Sequence, residues 1–338
     1  MALAERLKYY AELETHTGNP LLVYVTSRRP NASGIIGADA ADEMIRQIEA
    51  IEGKRETVDV LIESNGGDPL VVWRMISALR TKSIKVRALV PHAAFSAATL
   101  FCLGAEEIVV GKYACLGPID PQITAKGKDG QQKNFAFEDI LAFVKFVKSK
   151  FSLTRAVKSQ IYGHLFESVE PFSLGFASRS SALSFSLGVK LLLSHSDNKY
   201  SFWRARRVSR KLNKNFFNHG HPLNKEELRQ IGLRVVNSDE KTEELMWKIH
   251  SDLEKDFLVG TPFDFISNYL QYNPPLALGV QQVPFGTYEF DVKFAVMESL
   301  RFAEEYFVKY KTSIFRAQNL AYNQATTILN QGWRMQKP

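Results

Sequence analysis

The 338-residue chain contains 45% apolar and 23% charged residues, values that exclude a wholly disordered or collagen-like protein. It is longer than one simple domain usually is, so we expect one enlarged domain or a core with an extension. Its formal net charge of +7 indicates a partner such as nucleic acid only where the basic residues cluster.

The densest basic cluster lies close to Phe202 and Trp203. It consists of Arg204, Arg206, Arg207, Arg210, Lys211 and Lys214. We interpret it as a solvated helix face, with a surface for a polyanion or a protein partner as the alternative.

Cys102 and Cys115 are the two cysteines, too few for a disulfide framework and without the spacing of a zinc knuckle. The first residues are charged and helical rather than signal-like, and no stretch approaches the roughly 20 apolar residues of a membrane span. These features predict a cytoplasmic protein.

The first part of the chain alternates strand and helix patterns. Strands are predicted at 21–26, 58–63, 84–91 and 107–111, and helices at 38–51, after the turn at 65–68, and from about residue 96. Such alternation predicts an α/β fold with a largely parallel sheet, whose functional groups gather at the carboxyl ends of the strands.

The pattern changes after Pro121, where a polar, glycine-containing loop precedes helical stretches at 138–151, 177–194 and 202–213. We interpret this region as an all-helical insertion. A helix at 240–257 and a long final helix at about 300–330 are predicted beyond it.

Residues that follow two of the predicted strands are candidates for a catalytic site. Gly66 and Gly67 follow the second predicted strand, where paired glycines let backbone N–H groups approach a developing negative charge. Ser96 follows the third strand and precedes an apolar helix, so the N–H of Ala97 supplies a second oxyanion donor in this interpretation. A tight turn and an N-cap serine are the simpler alternatives.

The order and spacing of these two features resemble the Clp protease proteolytic subunit and the signal peptide peptidase A family. With the segment 116–122 (LGPIDPQ) and the segment 218–236, the sequence most resembles the serine dehydrogenase proteinase family, a Clp-class group. This resemblance implies a crotonase-type fold with repeated ββα units, in which Ser96 is the nucleophile and Gly66, Gly67 and Ala97 form the oxyanion hole.

The segment 222–233 also resembles the helix with which Clp-type and crotonase cores close, and this sets the expected domain limits. We expect an N-terminal helix (1–19), a Clp/crotonase-like core (20–135 and 216–236), a helical insertion (136–215) and a C-terminal helical extension used in oligomerisation (237–338).

The general base is left open, because Asp120 and its neighbours occupy the region in which Clp subunits carry a histidine. Signal peptide peptidases use a lysine, and a buried lysine can act as a base. The candidate lysines are Lys133, Lys126 and Lys128. The candidate histidines are His219, His221 and, less favourably placed, His92. A polar turn before the helix at Asn224 is an equal explanation for the two later histidines.

The sequence thus predicts a serine peptidase without cofactor or metal, acting on peptides or unfolded proteins as a homo-oligomer, with an unfoldase or regulatory partner possible by resemblance. Because the Clp histidine is missing, the alternative is an inactive scaffold whose basic insertion binds a protein or nucleic acid. A third hypothesis, acyl-CoA chemistry on the crotonase fold, has no supporting motif.

Overall fold

The computed structural model describes residues 3–126, 132–150, 154–216, 218–265, 267–268, 286–316 and 322–336. Its helices are α1 (Leu3–Thr17), α2 (Ala40–Glu49), α3 (Pro69–Lys82), α4 (Ala97–Leu103), α5 (Phe137–Lys150), α6 (Arg155–Ser168), α7 (Pro171–Leu193), α8 (Phe202–Lys214), α9 (Lys225–Ile231) and α10 (Glu240–Asp256). Among these residues, no helix combines the length and apolar character required to cross a bilayer.

The strands complete an α/β architecture. They are β1 (Leu21–Thr26), β2 (Arg28–Arg29), β3 (Ala32–Ser33), β4 (Arg55–Glu63), β5 (Ser83–Val90), β6 (Ala93–Ala94), β7 (Glu107–Val110), β8 (Cys115–Leu116), β9 (Gln122–Lys126), β10 (Gln132–Ala136), β11 (Val235–Val236), β12 (Gly286–Glu298), β13 (Ala303–Arg316) and β14 (Tyr322–Met335). The α/β class and the early strands and helices are as predicted.

In the part of the chain that the structure describes, an eight-stranded sheet organises the fold, with the order β11-β7-β5-β4-β1-β12-β13-β14. The first five strands in this order are parallel, and β12, β13 and β14 continue the sheet in antiparallel pairs. Strand β1 is buried along its whole length and β4 is buried from Val58 to Glu63, as expected for the centre of a parallel sheet.

Helices cover both faces of this sheet. Apolar residues of α2, α3, α4, α8 and α9 pack with one face of the central strands in the larger core. On the other face, Tyr10 and Leu13 of α1 pack with Leu245 and Ile249 of α10. The carboxyl ends of β4 and β5 therefore meet at one sheet edge, between two layers of helices.

A buried charged cluster attaches the N-terminal helix to distant parts of the chain. Arg6 contacts Glu298 at 2.7 Å and Asp252 at 2.7 Å, and its side chain is 1% exposed. Tyr10 donates a hydrogen bond to Glu298 at 2.5 Å. The cluster joins α1, α10 and β12.

The region 137–214 is helical, as predicted, but its described residues (137–150 and 154–214) form four helices rather than three. Helix α6 was not predicted, and α7 begins at Pro171, before the expected start at 177. Helix α7 packs along α8 and reaches α4 of the core. The division of the chain into separate domains stays a prediction.

The predicted C-terminal helical extension is wrong in its second half. Helix α10 is present, but the described residues 286–316 and 322–335 supply three long strands where a helix at 300–330 was expected. The cause is long-range pairing: β12 adds to β1, with Val23 opposite Glu298, and β13 and β14 pair in turn. This segment is rich in Tyr, Phe, Val and Thr, which pack well on a pleated surface.

Candidate active site

The glycine pair and Ser96 lie next to each other at the carboxyl edge of the parallel strands. Ser64, which follows β4, exchanges hydrogen bonds with the segment after β5: its N–H donates to Ala93 at 3.2 Å, and its carbonyl accepts from Phe95 at 2.9 Å. This pairing extends β4 and β5 past the sheet. It brings Gly66 beside Ser96, as the sequence resemblance implied.

Ser96 has an unusual backbone conformation, with φ 53° and ψ −115°. A positive φ is uncommon for a residue other than glycine, and such conformations concentrate at functional sites. The Ser96 N–H donates to the carbonyl of Pro118 at 3.2 Å, which fixes the turn before α4. Its hydroxyl makes no N-cap hydrogen bond, so the capping alternative does not describe this side chain.

Gly66 fits against Ser96 because it lacks a side chain. Its φ is +110°, and a Cβ added there would lie 2.7 Å from the Ser96 Cβ, 3.0 Å from the Phe95 oxygen and 3.1 Å from the Ala97 nitrogen. The glycine loop therefore touches the first turn of α4.

The backbone amides beside Ser96 differ in their hydrogen bonds. The Gly66 N–H donates to the Ser64 hydroxyl at 3.1 Å, and that hydroxyl also accepts from Thr26 at 2.7 Å. Within the described ranges, the N–H groups of Gly67 and Ala97 have no protein acceptor. Gly67 is exposed to solvent, whereas Ala97 is 1% exposed.

A histidine and a carboxylate pair close to the segment that holds Ser96. His219 Nδ1 lies 3.0 Å from Asp120 Oδ1, and the Asp120 side chain is 9% exposed. Asp120 follows Pro118, the acceptor of the Ser96 N–H, by two residues, a span of about 7 Å at most. The sequence pointed to His219 but missed its partner, because Asp120 was considered only as the residue that replaces the Clp histidine.

The other candidate histidines have different surroundings. His221 stacks on Phe216 with ring centroids 5.1 Å apart, and its Nε2 lies 3.7 Å from Glu227. The predicted helix cap is made by Asn224 and Glu227 rather than by the histidines.

The candidate lysines lie on or near a two-stranded ribbon. Lys133 is in β10, opposite Ala125 of β9, and Lys126 ends β9. Lys128 lies outside the described residues.

His92 belongs to a second polar cluster on the α10 side of the sheet. It stacks on His250 at 4.9 Å, and burial followed by the charge of Arg28 lowers the pKa of His92. His250 Nδ1 lies 2.8 Å from Glu63, which also contacts Arg28 at 2.7 Å. No pattern in the sequence linked Glu63 with a helix so far along the chain.

Across the described residues, no group of three His, Cys, Asp or Glu side chains is arranged to hold a metal ion.

Residues 34–130, which include both glycines and Ser96, match the model of a family described as ClpP-like SDH-type serine proteinase. The predicted family resemblance is confirmed. Two uncharacterized proteins of Methanocaldococcus jannaschii are also similar. MJ0137 is 24% identical over 71% of this chain and 77% of its own length, and MJ1495 is 25% identical over 72% and 76%.

A solved structure of the ClpP protease catalytic domain from Plasmodium falciparum is similar at 13% identity. The overlap covers 71% of this chain and 93% of that chain, with a TM-score of 0.35. A TM-score of 0.35 is too low to carry a conclusion about this chain.

Proposed function

We propose that the protein is a serine peptidase in which Ser96 attacks the carbonyl carbon of a peptide bond. Its support is the backbone of Ser96, which is held at a positive φ at the start of α4 and directly against Gly66. The family of residues 34–130 is consistent with this chemistry at the coarser level of a ClpP-like serine proteinase.

The oxyanion donors of this proposal are the N–H groups of Gly67 and Ala97. An amide that already donates inside the protein is a weaker candidate, and the Gly66 N–H donates to Ser64. The proposed role of Gly66 is therefore steric: because it has no side chain, the glycine loop can pack directly against Ser96. Donors aimed at the developing oxyanion commonly supply a large part of peptidase rate enhancement.

The proposed base is His219, oriented by Asp120. A carboxylate on Nδ1 leaves Nε2 of the same imidazole to accept the serine proton, which is the arrangement of a hydrolytic triad. The Ser96 hydroxyl makes no hydrogen bond in the described part of this single chain. Catalytic hydrogen bonds are often long before substrate binds, and we propose that substrate or assembly into a homo-oligomer brings these groups together.

The experiment is labelling with a fluorophosphonate probe, which reports an activated serine directly. We expect wild type to label, Ser96→Ala to lose the label, and His219→Ala and Asp120→Asn to label at least about 100-fold more slowly. His221→Ala is the matched control, since it removes a nearby histidine with other contacts.

The same experiment decides between bases. Labelling that depends on Lys133 and not on His219 assigns the lysine mechanism. No labelling of the folded, assembled protein, or labelling that persists in Ser96→Ala, contradicts the proposed nucleophile.

A second candidate function, a binding scaffold, is favoured by one face of α8. Among the described residues, no ion pair with a carboxylate involves its basic side chains, and two of them, Arg204 and Lys211, donate to the backbone carbonyls of Gly232 and Gln230 instead. These side chains are Arg204, Arg206, Arg207, Arg210, Lys211 and Lys214. Phe202 and Trp203 lie exposed beside them.

The scaffold function predicts salt-dependent binding of a fluorescent single-stranded oligonucleotide, measured by anisotropy. Replacing Arg207 and Arg210 by alanine would reduce both the affinity and its dependence on salt. Unchanged binding in that variant would exclude this surface.

A further inference from the structure

An open cavity of about 310 Å³ lies between α5, α7 and α8. Its basic wall consists of three side chains of α8, namely Arg206, Arg210 and Lys214. These residues are four positions apart, so they share one face of the helix. Ser178 and Phe185 of α7 also line the cavity, and the described residues of its wall include no carboxylate.

The three cations have no partner of opposite charge. Among the described residues, none of them forms an ion pair or donates to a hydrogen-bond acceptor. Arg206 is only half exposed, and its guanidinium lies 5.3 Å from the ring centres of both Phe185 and Phe202. The rings attract the charge but accept none of its N–H groups in the manner of an oxygen atom. A guanidinium partly removed from water without an acceptor indicates that a ligand supplies one.

One carboxylate lies beside the cavity without forming its wall. Glu138 accepts from the hydroxyl of Ser181 at 2.8 Å, and Ser181 is 3% exposed, so both groups belong to the packing between α5 and α7. The carboxylate pairs with none of the three cations. One negative charge beside three positive charges leaves the cavity attractive to an anion.

The cavity adjoins the segment that carries the candidate base. Ile119, which immediately precedes Asp120, is bonded to both helices of the cavity: its carbonyl accepts from the Ser184 hydroxyl of α7, and its N–H donates to Leu212 of α8 at 3.0 Å. Lys214 follows Leu212 by two residues, about 3 Å along the helix axis. A ligand in the cavity therefore lies next to the chain segment that holds Asp120.

We propose that this cavity binds a carboxylate of the peptide substrate, so that the protein selects acidic peptides; this inference rests on the proposed peptidase function. The guanidinium groups of Arg206 and Arg210 match a carboxylate in geometry and can each donate two hydrogen bonds to it. The ammonium of Lys214 adds a third positive charge at the mouth of the cavity, where its side chain is exposed.

A carboxylate fits this wall better than a phosphate does. Phosphate sites commonly use unpaired backbone N–H groups at a helix start or in a glycine loop, whereas the three cations lie inside α8. The rings of Phe137 and Phe185 suit the methylene groups that carry a carboxylate in a peptide. An acidic side chain and a C-terminal carboxylate both have this chemistry, and an experiment separates these two sources.

The test is fluorescence anisotropy at low salt on the full chain carrying Ser96→Ala, in which binding does not require the nucleophile. The probes are labelled peptides of one length and one apolar framework. The first carries glutamates and a C-terminal amide, the second has glutamines in their place, and the third is the glutamine peptide with a free C-terminal carboxylate. We expect the glutamate peptide to bind at least about fivefold more tightly than the glutamine amide if side chains are the source.

The two sources give different patterns. A side-chain carboxylate is the ligand if the glutamate peptide gains affinity, and a C-terminal carboxylate is the ligand if the glutamine peptide with a free C-terminus gains it. Equal affinity of all three peptides, or no binding of any of them at millimolar concentration, overturns the proposal.

Variants locate the binding in this cavity. We expect Arg206→Gln to weaken binding of the favoured peptide about tenfold and Arg210→Gln about three- to fivefold. Arg207→Gln is the matched control, because Arg207 is an exposed cation of the same helix that does not line the cavity, and it should change the affinity less than about twofold. Equal losses in all three variants would show a general attraction of α8 for anions, nucleic acid included, and would reject this site.

Two readouts separate this proposal from its alternatives. Arg210→Gln should unfold at the same urea concentration as wild type, because the exposed Arg210 side chain has no polar partner among the described residues. Binding of acidic peptides without fluorophosphonate labelling of wild type would contradict the peptidase function and retain the cavity. Labelling of wild type without any preference for a carboxylate would reject the cavity alone.

Discussion

Replacing Gly66 by alanine tests whether the close approach of the glycine loop to Ser96 is required. The new Cβ would lie 2.7 Å from the Ser96 Cβ and 3.0 Å from a backbone oxygen, distances at which the neighbouring backbone must move. The residue would also hold an L side chain at φ +110°. Strain of about 1–3 kcal/mol and overpacking of about 1–3 kcal/mol together predict a loss of about 2–6 kcal/mol in unfolding free energy.

Gly53→Ala is the control that measures the cost of an alanine at positive φ without any close contact. Gly53 also has a positive φ, +64°, but a Cβ there meets no atom within 4 Å. We expect this variant to lose only about 1 kcal/mol and to keep the fluorophosphonate labelling rate of wild type.

The assays are urea unfolding followed by circular dichroism, and labelling of Ser96 below the unfolding transition. Gly66→Ala should be the less stable variant, and its folded fraction should label more slowly because Ser96 and α4 are displaced. If it unfolds at the same urea concentration as Gly53→Ala and labels at the wild-type rate, the packing argument is refuted.

Three further predictions concern buried groups. Burial, together with the adjacent Glu304, raises the pKa of Glu43 to about 7, so the folded state binds a proton more tightly than the unfolded state. The contribution of the Glu43 carboxyl to the free energy of unfolding is therefore present below pH 4.5 and is lost as the pH rises through 7. In urea unfolding, Glu43→Gln should lose less stability than wild type over this pH interval. Identical pH profiles of the two proteins would contradict the raised pKa of Glu43. Arg6→Met should cost about 3–5 kcal/mol in thermal or urea unfolding, because Glu298 stays buried without its cation, and a loss under about 1 kcal/mol would show that the cluster is dispensable. Burial raises the pKa of Cys102, so mass spectrometry should find it unmodified by iodoacetamide in the native protein and alkylated in urea; alkylation of the native protein would show that this core opens.

Local patterns were sufficient for the parallel half of the fold. The apolar run of β1, the alternation of residues 58–63 in β4 and the amphipathic spacing of α2 arise from residues that are near in sequence, and the structure places these elements close to the predicted limits. The juxtaposition of Gly66 and Ser96 was also predictable, because both follow neighbouring parallel strands, and such strands end at the same sheet edge.

The C-terminal strands β12, β13 and β14 were not accessible in the same way. Residues 303–316 contain Ala, Glu and Lys, which suit a helix, as well as Tyr, Phe, Val and Thr, which suit a strand. What decides between them is the partner: β13 pairs with β12, and β12 pairs with β1, far away in sequence. A single sequence carries no record of that pairing.

The site shows the same division. Ser96, with its helix and its glycine loop, could be predicted from local order, whereas the contact of His219 with Asp120 depends on how the chain returns to the core after α8.

The pairing of β1 with β12 also has a consequence for biosynthesis. Strand β1 leaves the ribosome long before residues 286–298, so a nascent chain can complete the parallel strands while one side of β1 still lacks its neighbour. Unpaired strand edges on partly made proteins attract other chains, and contacts between distant residues form slowly. Until residues 286–298 are synthesised, that edge of β1 has no strand to pair with, and we expect the nascent chain to be exposed to aggregation along it.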